Sequence, residues 1–380
     1  MVNGKSIIVG VTGGIAAYKV VDIISQLKKK GADISVIMTK AAQEFVTPLT
    51  FQTISQNPVS TDMFALPITW EVEHIALADK ADAILIAPAT ANIIGKIATG
   101  IADDMLTTVV LASKAPTVFA PSMNVNMYEN QVTQRNLKIL QKMGHYIIQP
   151  DEGYLACGYS GKGRLPKAEI IIDEVEYVLT KKDFCGKKII VTAGPTREEI
   201  DPVRYITNHS SGKMGYGIAK AARDRGGDVV LISGASHTRI PTGVKYIHVG
   251  SAIEMKNAVI DEFYNADIII KAAAVSDYRP KNIHEQKIKK SDDGLTLELV
   301  RNPDILFELG KKKGERILVG FAAETQDLIE NARKKLKSKN LDMIVANDLT
   351  LEGSGFDTDT NIATIISSDG NIEKLKKMRK

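Results

Sequence analysis

The sequence predicts an α/β protein of two consecutive domains, each a sheet of short parallel strands covered by helices. Short apolar runs alternate with helix-length amphipathic stretches through both halves, the alternation restarts after a polar stretch at 180–188, and each half opens with a strand that runs into a glycine-containing turn. Parallel strands need helical crossovers, so such alternation implies βαβ units. At 380 residues the chain is also too long for one ordinary core.

In the first half, residues 6–11 form an apolar run that ends in Thr12-Gly13-Gly14. Residues 15–30 then show helical spacing, with Val20, Ile23, Ile24 and Leu27 on one face and Gly31 closing the segment. Residues 34–38, 83–87 and 117–120 read as further strands, and 103–113 and 126–143 as helices. The polar stretch TKKDFCGKK places the boundary near Gly186, giving domains 1–186 and 187–380. The second half repeats the pattern: strand 188–193 running into Gly194, helix 212–225, strand 229–233, helix 251–264, strand 267–271, strand 317–321, helix 326–338 and strand 342–346. One segment departs from it. Runs 285–290 and 295–300 flank Asp292-Asp293-Gly294, good turn chemistry for a hairpin. This hairpin carries Lys281, Lys287, Lys289 and Lys290, a charged edge of the kind that keeps sheets from pairing with other chains.

Composition narrows the class. Hydrophobic residues at 44% and charged residues at 25% are those of an average globular protein. No apolar run is long enough to span a membrane, and the N-terminus lacks a signal-peptide layout. A net charge of +4 fits anionic small molecules as well as weak attraction to nucleic acid. Cys157 and Cys185 are too few for a disulfide scaffold, which leads us to expect a reducing cytoplasm. The histidines at 74, 145, 209, 237, 248 and 284 form no ligand-like pair, so no structural zinc is expected.

The glycines of GVTGGIAA (10–17) fall where the first strand turns into the first helix, where exposed N–H groups and the helix dipole favour an anion. The spacing is not G-x-G-x-x-G. The second strand ends Met38-Thr39-Lys40, without the acid that a dinucleotide ribose requires. Hydroxyls at Thr12, Thr39 and Thr90 suit a single phosphate ester, and so a mononucleotide cofactor. His74 reads as a helix histidine and Cys157 as a small apolar residue. However, Cys157 lies in the Gly-rich stretch DEGYLACGYSGKGR (151–164), where a proton donor on a mobile lid is the better reading.

Several long motifs carry a resemblance that covers nearly the whole chain. GVTGGIAAYK (10–19), HIALA (74–78), APATANIIGKIATGIADD (87–104), PSMNVNMY (121–128) and LACGYSGKGR (155–164) resemble the flavin-dependent cysteine decarboxylase family. AGPTREEIDPVRYITNHSSGKMG (193–215), AAAVSDYRP (272–280), KIKK (287–290) and GFAAET (320–325) resemble phosphopantothenate–cysteine ligases. In this order the two resemble the bifunctional coenzyme A biosynthesis family, which joins phosphopantothenoylcysteine decarboxylase to phosphopantothenate–cysteine ligase. The resemblance implies two Rossmann-like three-layer domains: a flavodoxin-like flavoprotein domain, then a ligase domain with a lysine-rich hairpin.

The resemblance also implies roles. His74 would be the base or orient the substrate, Asn124 would bind the carboxylate that leaves, and Cys157 would donate a proton. Gly13, Gly14, Ile15 and Thr39 would hold the phosphate region of FMN, with Ala89, Thr90 and Ala91 along the flavin. In the ligase half, Asn208 would meet the acyl intermediate and Lys287 the triphosphate, with Asp277 near nucleotide or Mg²⁺. Ala272, Ala273, the Pro303-Asp304-Ile305-Leu306 segment, Phe321, Lys335 and Lys339 would complete the nucleotide site. Lys335 and Lys339 are spaced i, i+4, which puts them on one helix face. The implied substrates are 4′-phosphopantothenate, cysteine and CTP; the fused layout points to CTP, and the residues alone leave ATP open. A homo-oligomer is implied, with a trimeric flavin domain whose site lies between subunits and a dimeric ligase domain, together a dodecamer. Neither nucleic acid nor membrane is expected as a partner. The chain closes on a basic tail, EKLKKMRK, and longer relatives continue beyond it. Two alternatives stand beside this reading: a nicotinamide-dependent oxidoreductase, and a flavin-binding regulatory protein without catalysis.

Overall fold

The computed structural model describes residues 2–64, 72–154, 160–289, 295–324, 326–348, 358 and 360–379. The chain divides into two compact units, Met1–Thr180 and Lys181–Lys380. Residues 181–186 therefore lie with the second unit, ahead of the expected boundary at Gly186. Lys182 Nζ donates to the Asp224 carbonyl (2.7 Å), Arg225 pairs with Asp183 (2.8 Å), and the Arg225 guanidinium stacks 3.6 Å from the centre of the Phe184 ring.

The first unit holds strands β1 (Ser6–Val11), β2 (Asp33–Met38), β3 (Val59–Ser60), β4 (Ala83–Ala89), β5 (Thr117–Pro121) and β6 (Tyr146–Ile147) in one parallel sheet, ordered β3-β2-β1-β4-β5-β6. A two-stranded ribbon follows, β7 (Asp151–Tyr154) and β8 (Ser160–Arg164). The helices are α1 (Ala17–Lys29), α2 (Pro48–Ser55), α3 (Glu73–Lys80), α4 (Ala91–Thr99), α5 (Met105–Ala112), α6 (Val125–Glu129), α7 (Gln131–Lys142) and α8 (Ala168–Leu179). β1 is apolar and buried from Ile7 to Val11 because both its faces are covered. Ile7, Val9 and Val11 pack with α1, α2 and α8, while Ile8 packs with α3, α4, α5 and α7. The result is three layers. The helix expected over 126–143 is two helices, broken at Asn130, whose backbone is extended and whose side chain accepts from the Val132 N–H (2.9 Å).

The second unit contains β9 (Lys188–Ala193), β10 (Arg197–Glu199), β11 (Tyr205–Thr207), β12 (Asp228–Ser233), β13 (Lys245–His248), β14 (Ile268–Lys271), β15 (Tyr278–Pro280), β16 (Leu299–Arg301), β17 (Ile317–Glu324), β18 (Met343–Asp348), β19 (Thr360–Asn361), β20 (Ala363–Ser367), β21 (Ile372–Lys374) and β22 (Met378–Arg379). Its main sheet is ordered β13-β12-β9-β14-β17-β18-β20-β21, parallel through β18 and antiparallel beyond. Helix α9 (Lys213–Asp224) covers one face, and α10 (Ala252–Phe263), α11 (Ile305–Lys312) and α12 (Leu328–Ser338) the other. The expected hairpin arms are displaced. Antiparallel pairing joins 278–280 to 299–301, and residues 285–289 form no strand. The turn Asp292-Asp293-Gly294 and Lys290 fall outside the described residues. Among the described residues, no helix is long and apolar enough to cross a membrane.

Each sheet reverses its winding once, between β1 and β4 in the first unit and between β9 and β14 in the second. The crevice outside the carboxyl ends of strands at such a reversal is where open α/β sheets bind ligands.

Candidate active sites

At the first reversal lies a cavity of about 840 Å³. The loops after β1 and β4 meet beneath it: the Thr12 hydroxyl donates to the Pro88 carbonyl (2.6 Å) and accepts from the Thr90 N–H (3.3 Å). The Thr90 hydroxyl caps α4 by accepting from the Ile93 N–H (3.4 Å). Helix α1 starts at the cavity with neither a side-chain cap nor an acid in its first turn. Its positive end is left for an anion. Gly13 is required here, since a Cβ would collide with the Ala41 side chain. The hydroxyl of Thr39, at the end of β2, is buried and has no hydrogen-bond partner. An orphaned buried donor facing a cavity beside a bare helix N-terminus fits a bound phosphate ester.

Of the residues expected at this site, Gly13, Gly14, Ile15, Thr39, Thr90, Ala91 and Asn124 line the cavity. Ala89 is buried in β4 below it, its carbonyl accepting from the Ser122 N–H (3.1 Å). Asn124 caps α6, its Oδ1 accepting from the Asn126 N–H (2.8 Å), so the amide nitrogen is the end suited to a carboxylate. His74 is half-buried on α3 and is not among the lining residues. Cys157 lies outside the described residues. Tyr154 and Arg164 of the β7–β8 ribbon line the cavity, and the sequence reading missed them. The Gly-rich composition of 151–164 was the signal.

In the second unit, the loops after β9 and β14 are bonded together. Thr192 Oγ1 accepts from the Ala273 N–H (3.2 Å), the Gly194 carbonyl from the Ala274 N–H (3.0 Å), and Thr196 Oγ1 from the Ser276 N–H (3.1 Å). Further bonds bring expected residues here. Asn208 Nδ2 donates to the Val275 carbonyl (3.1 Å), and the Asn302 N–H donates to the Asp277 carbonyl (2.8 Å). Asp304 caps α11 and pairs with Lys339 (2.8 Å). Burial opposes ionisation of Asp304, but the hydrogen bonds from Lys339 and the Phe307 N–H, with the charges of Lys339 and Lys271, together outweigh it and hold the carboxyl below its ordinary value. Asn208, Ala272, Ala273 and Asp277 are thus held at the loops after β9 and β14, and Asp304 and Lys339 are paired with each other.

Other expected residues sit differently. Ile305 and Leu306 are core residues, 2% and 5% exposed, so this segment can offer a ligand only its backbone. Phe321 is half-buried on β17, and Lys287 and Lys335 are exposed. Lys339 is the C-cap of α12, its N–H donating to the Lys335 carbonyl one turn earlier (3.1 Å). None of the expected nucleotide residues lines the cavity of about 420 Å³ that includes Arg197, Glu198, His248 and Lys281, or the one of about 570 Å³ beside Asp327 and Thr364. The sequence reading also missed Lys271, which ends β14 at the reversal. Burial pushes its ammonium down to about 8; Lys339 adds to the shift, and Asp304 and Asp277 oppose it. The signal was a lysine closing an apolar strand, ADIIIK. Among the described residues, no group of three or more His, Cys, Asp and Glu could hold a metal ion.

Known proteins match both units. The Flavoprotein family matches residues 1–180, and the family described as DNA/pantothenate metabolism flavoprotein C-terminal domain matches residues 184–380. Coenzyme A biosynthesis bifunctional protein CoaBC of Bacillus subtilis is 51% identical over 384 residues, spanning 100% of this chain and 95% of that protein. Its namesake in Vibrio cholerae serotype O1 is 48% identical over 370 residues, spanning 97% of this chain and 93% of that protein. A crystal structure of the C-terminal domain of such a protein is 45% identical, covers 52% of this chain and 89% of its own, and superposes with a TM-score of 0.45. These relatives support neither the nicotinamide oxidoreductase nor the non-catalytic flavin-binding reading. A chain that matches such relatives over its whole length, with a flavoprotein unit followed by a ligase unit, belongs to the bifunctional coenzyme A biosynthesis family and is an enzyme with decarboxylase and ligase activities.

Proposed function

We propose that the second unit joins cysteine to 4′-phosphopantothenate with CTP and Mg²⁺, and that the first unit, loaded with FMN, decarboxylates the product to 4′-phosphopantetheine in the cytoplasm. The observation that carries the flavin reading is the unpartnered Thr39 hydroxyl beside the uncapped start of α1. Gly13, Gly14, Ile15 and Thr39 would hold the phosphate, and Ala89, Thr90 and Ala91 would border the ring. When bound, the flavin supplies a reversible oxidation of the CH₂–SH group, which creates an electron sink for the departing carboxylate. Asn124 holds that carboxylate through its amide, and Cys157 gives the proton that completes the return to the thiol. His74 is absent from the cavity of its own chain. A trimer with its site between subunits gives it a neighbour's cavity to serve.

In the ligase unit a carboxylate oxygen of 4′-phosphopantothenate attacks the α-phosphorus of CTP, and the bond to pyrophosphate breaks. The cysteine amine then attacks the acyl carbon of the acyl-cytidylate, releasing CMP and a proton. Both steps depend on positioning and charge neutralisation. Lys287 would meet the triphosphate, Asn208 the acyl group, and the Asp277, Asp304 and Lys339 cluster the nucleotide. Magnesium bound with a nucleotide needs only one or two protein carboxylates, which Asp277 fits. The test is reconstitution. The purified chain should be yellow, release pyrophosphate with 4′-phosphopantothenate, CTP and Mg²⁺, and release CO₂ once cysteine is added. A colourless protein that released neither would sink the proposal.

A further inference from the structure

The segment that carries Lys287 has no helix or strand of its own, and residues 281–287 and 289 are exposed. Ile288 alone in this stretch is half-buried, and its peptide groups are gripped from both sides. Its N–H donates to Asp201 Oδ2 (3.1 Å), and its carbonyl accepts from Arg204 Nη2 (2.7 Å). Asp201 and Arg204 belong to the turn between β10 and β11 and are themselves paired: Arg204 Nε and Nη2 donate to Asp201 Oδ2 at 2.9 and 2.5 Å. Asp201 Oδ1 accepts from the N–H groups of Val203 (2.8 Å) and Arg204 (2.9 Å). A further tie runs from the His284 N–H to the Ile200 carbonyl (3.0 Å).

The Asp201 side chain is 0% exposed. A carboxylate taken out of water that far persists only when its oxygens are fully bonded. Here part of that bonding comes from an exposed segment far away in sequence. Stability alone does not call for the arrangement, since buried ion pairs can often be replaced by apolar residues of similar volume without loss.

We propose that the Asp201–Arg204 pair is a positioning device for ligation: by gripping the Ile288 peptide it sets where the Lys287 ammonium meets the nucleotide triphosphate. The proposal rests on the Lys287 role given under Proposed function. A lysine ammonium rides on a flexible four-carbon stem, so its placement depends on how firmly its own backbone is held. Burial works against the charge on Asp201, but the hydrogen bonds from Arg204, Val203 and Ile288 outweigh it and keep the carboxyl far below the ordinary carboxylate range. The grip therefore stays charged at working pH and is not a pH switch.

The experiment compares full-length wild type with Lys287→Gln, Asp201→Asn and Arg204→Lys. Pyrophosphate release reports ligation, and decarboxylation of supplied 4′-phosphopantothenoylcysteine is the internal control. Lys287→Gln should abolish ligation. Asp201→Asn should lower ligation kcat/KM by about 10²-fold, the usual cost of misplacing a reacting group by about 1 Å, with decarboxylation unchanged. Hydrogen exchange should quicken at the Ile288 amide while the amides of β9 and β14 keep their protection, a pattern that loss of fold would not give. If Lys287→Gln still ligates, the Lys287 reading falls and the positioning proposal with it. If Lys287→Gln is inactive while Asp201→Asn and Arg204→Lys ligate with wild-type kcat and KM for CTP, the positioning proposal alone is overturned. Should Asp201→Asn strip protection from β9 and β14, Arg204→Lys decides by the same readouts, because it keeps the charge and removes only the fork.

Discussion

A hydroxyl buried without a partner costs about 1–3 kcal/mol, which something outside the chain can recover. Thr39 is in that position, and it gives a prediction of opposite signs for the two states of the first unit. Thr39→Val should leave the flavin-free protein at least as stable as wild type. It should also weaken flavin binding by about 1 kcal/mol, about fivefold in Kd, measured by flavin fluorescence titration. Equal affinities would remove Thr39 from the site. Lys271 gives the pH prediction. Its folded value of about 8 lies below the ordinary lysine value, so between the two the unfolded chain holds a proton that the folded chain has released. Stability from this group therefore rises as pH climbs through that window. Lys271→Met should stabilise the chain most below pH ~8, and the gain should fade toward pH ~10, as followed by urea unfolding with circular dichroism. A gain that did not change with pH would contradict the shift.

At the scale of elements, one glycine sets how the β7–β8 ribbon approaches the first cavity. Gly163 has φ 155°, and a Cβ there would strike the Met123 carbonyl oxygen, while that same region is held by the Met123 N–H bond to the Gly163 carbonyl (3.0 Å). Gly163→Ala should push the ribbon off the 121–124 segment and cut decarboxylation at least tenfold while ligation proceeds at the wild-type rate. Loss of both activities would show that the ribbon matters to more than the first site. Element identity was largely legible: β1, α1, β9 and the alternation after it follow from apolar period and closing glycine. Boundaries set by single caps were less so, as the break at Asn130 shows. The lysine hairpin misled because turn chemistry at 292–294 marks where a chain can reverse, whereas the pairing of 278–280 with 299–301 depends on partners farther out.

The whole molecule repeats one solution twice: a doubly wound sheet whose reversal point gathers loops from distant parts of the chain. Around the first of these, Ile15, Tyr18 and Met127 are exposed apolar residues that also line the cavity. Apolar surface at a cavity mouth suits coverage by another copy, and in the trimer proposed above that copy would bring His74, which is not among the lining residues of its own chain's cavity. The corresponding prediction is complementation. His74→Asn and Asn124→Leu should each lose decarboxylation and keep ligation, and co-expressed mixtures should regain part of the decarboxylation. A mixture as inactive as its components would mean that one chain completes its own site.

The sequence by itself determined both α/β units, the two glycine turns and the absence of a ribose-binding acid. Each of these is carried by neighbours within a few residues, where side-chain period and backbone preference act directly. Only the tertiary structure decided which turns face each other, that Thr39 is left without a partner, that Lys271 stands among Asp277, Asp304 and Lys339, and that Asp201 and Arg204 reach across to Ile288. Those relations follow from strand order and from the burial of charge at the ends of strands. Both are properties of the packed chain that no local period encodes.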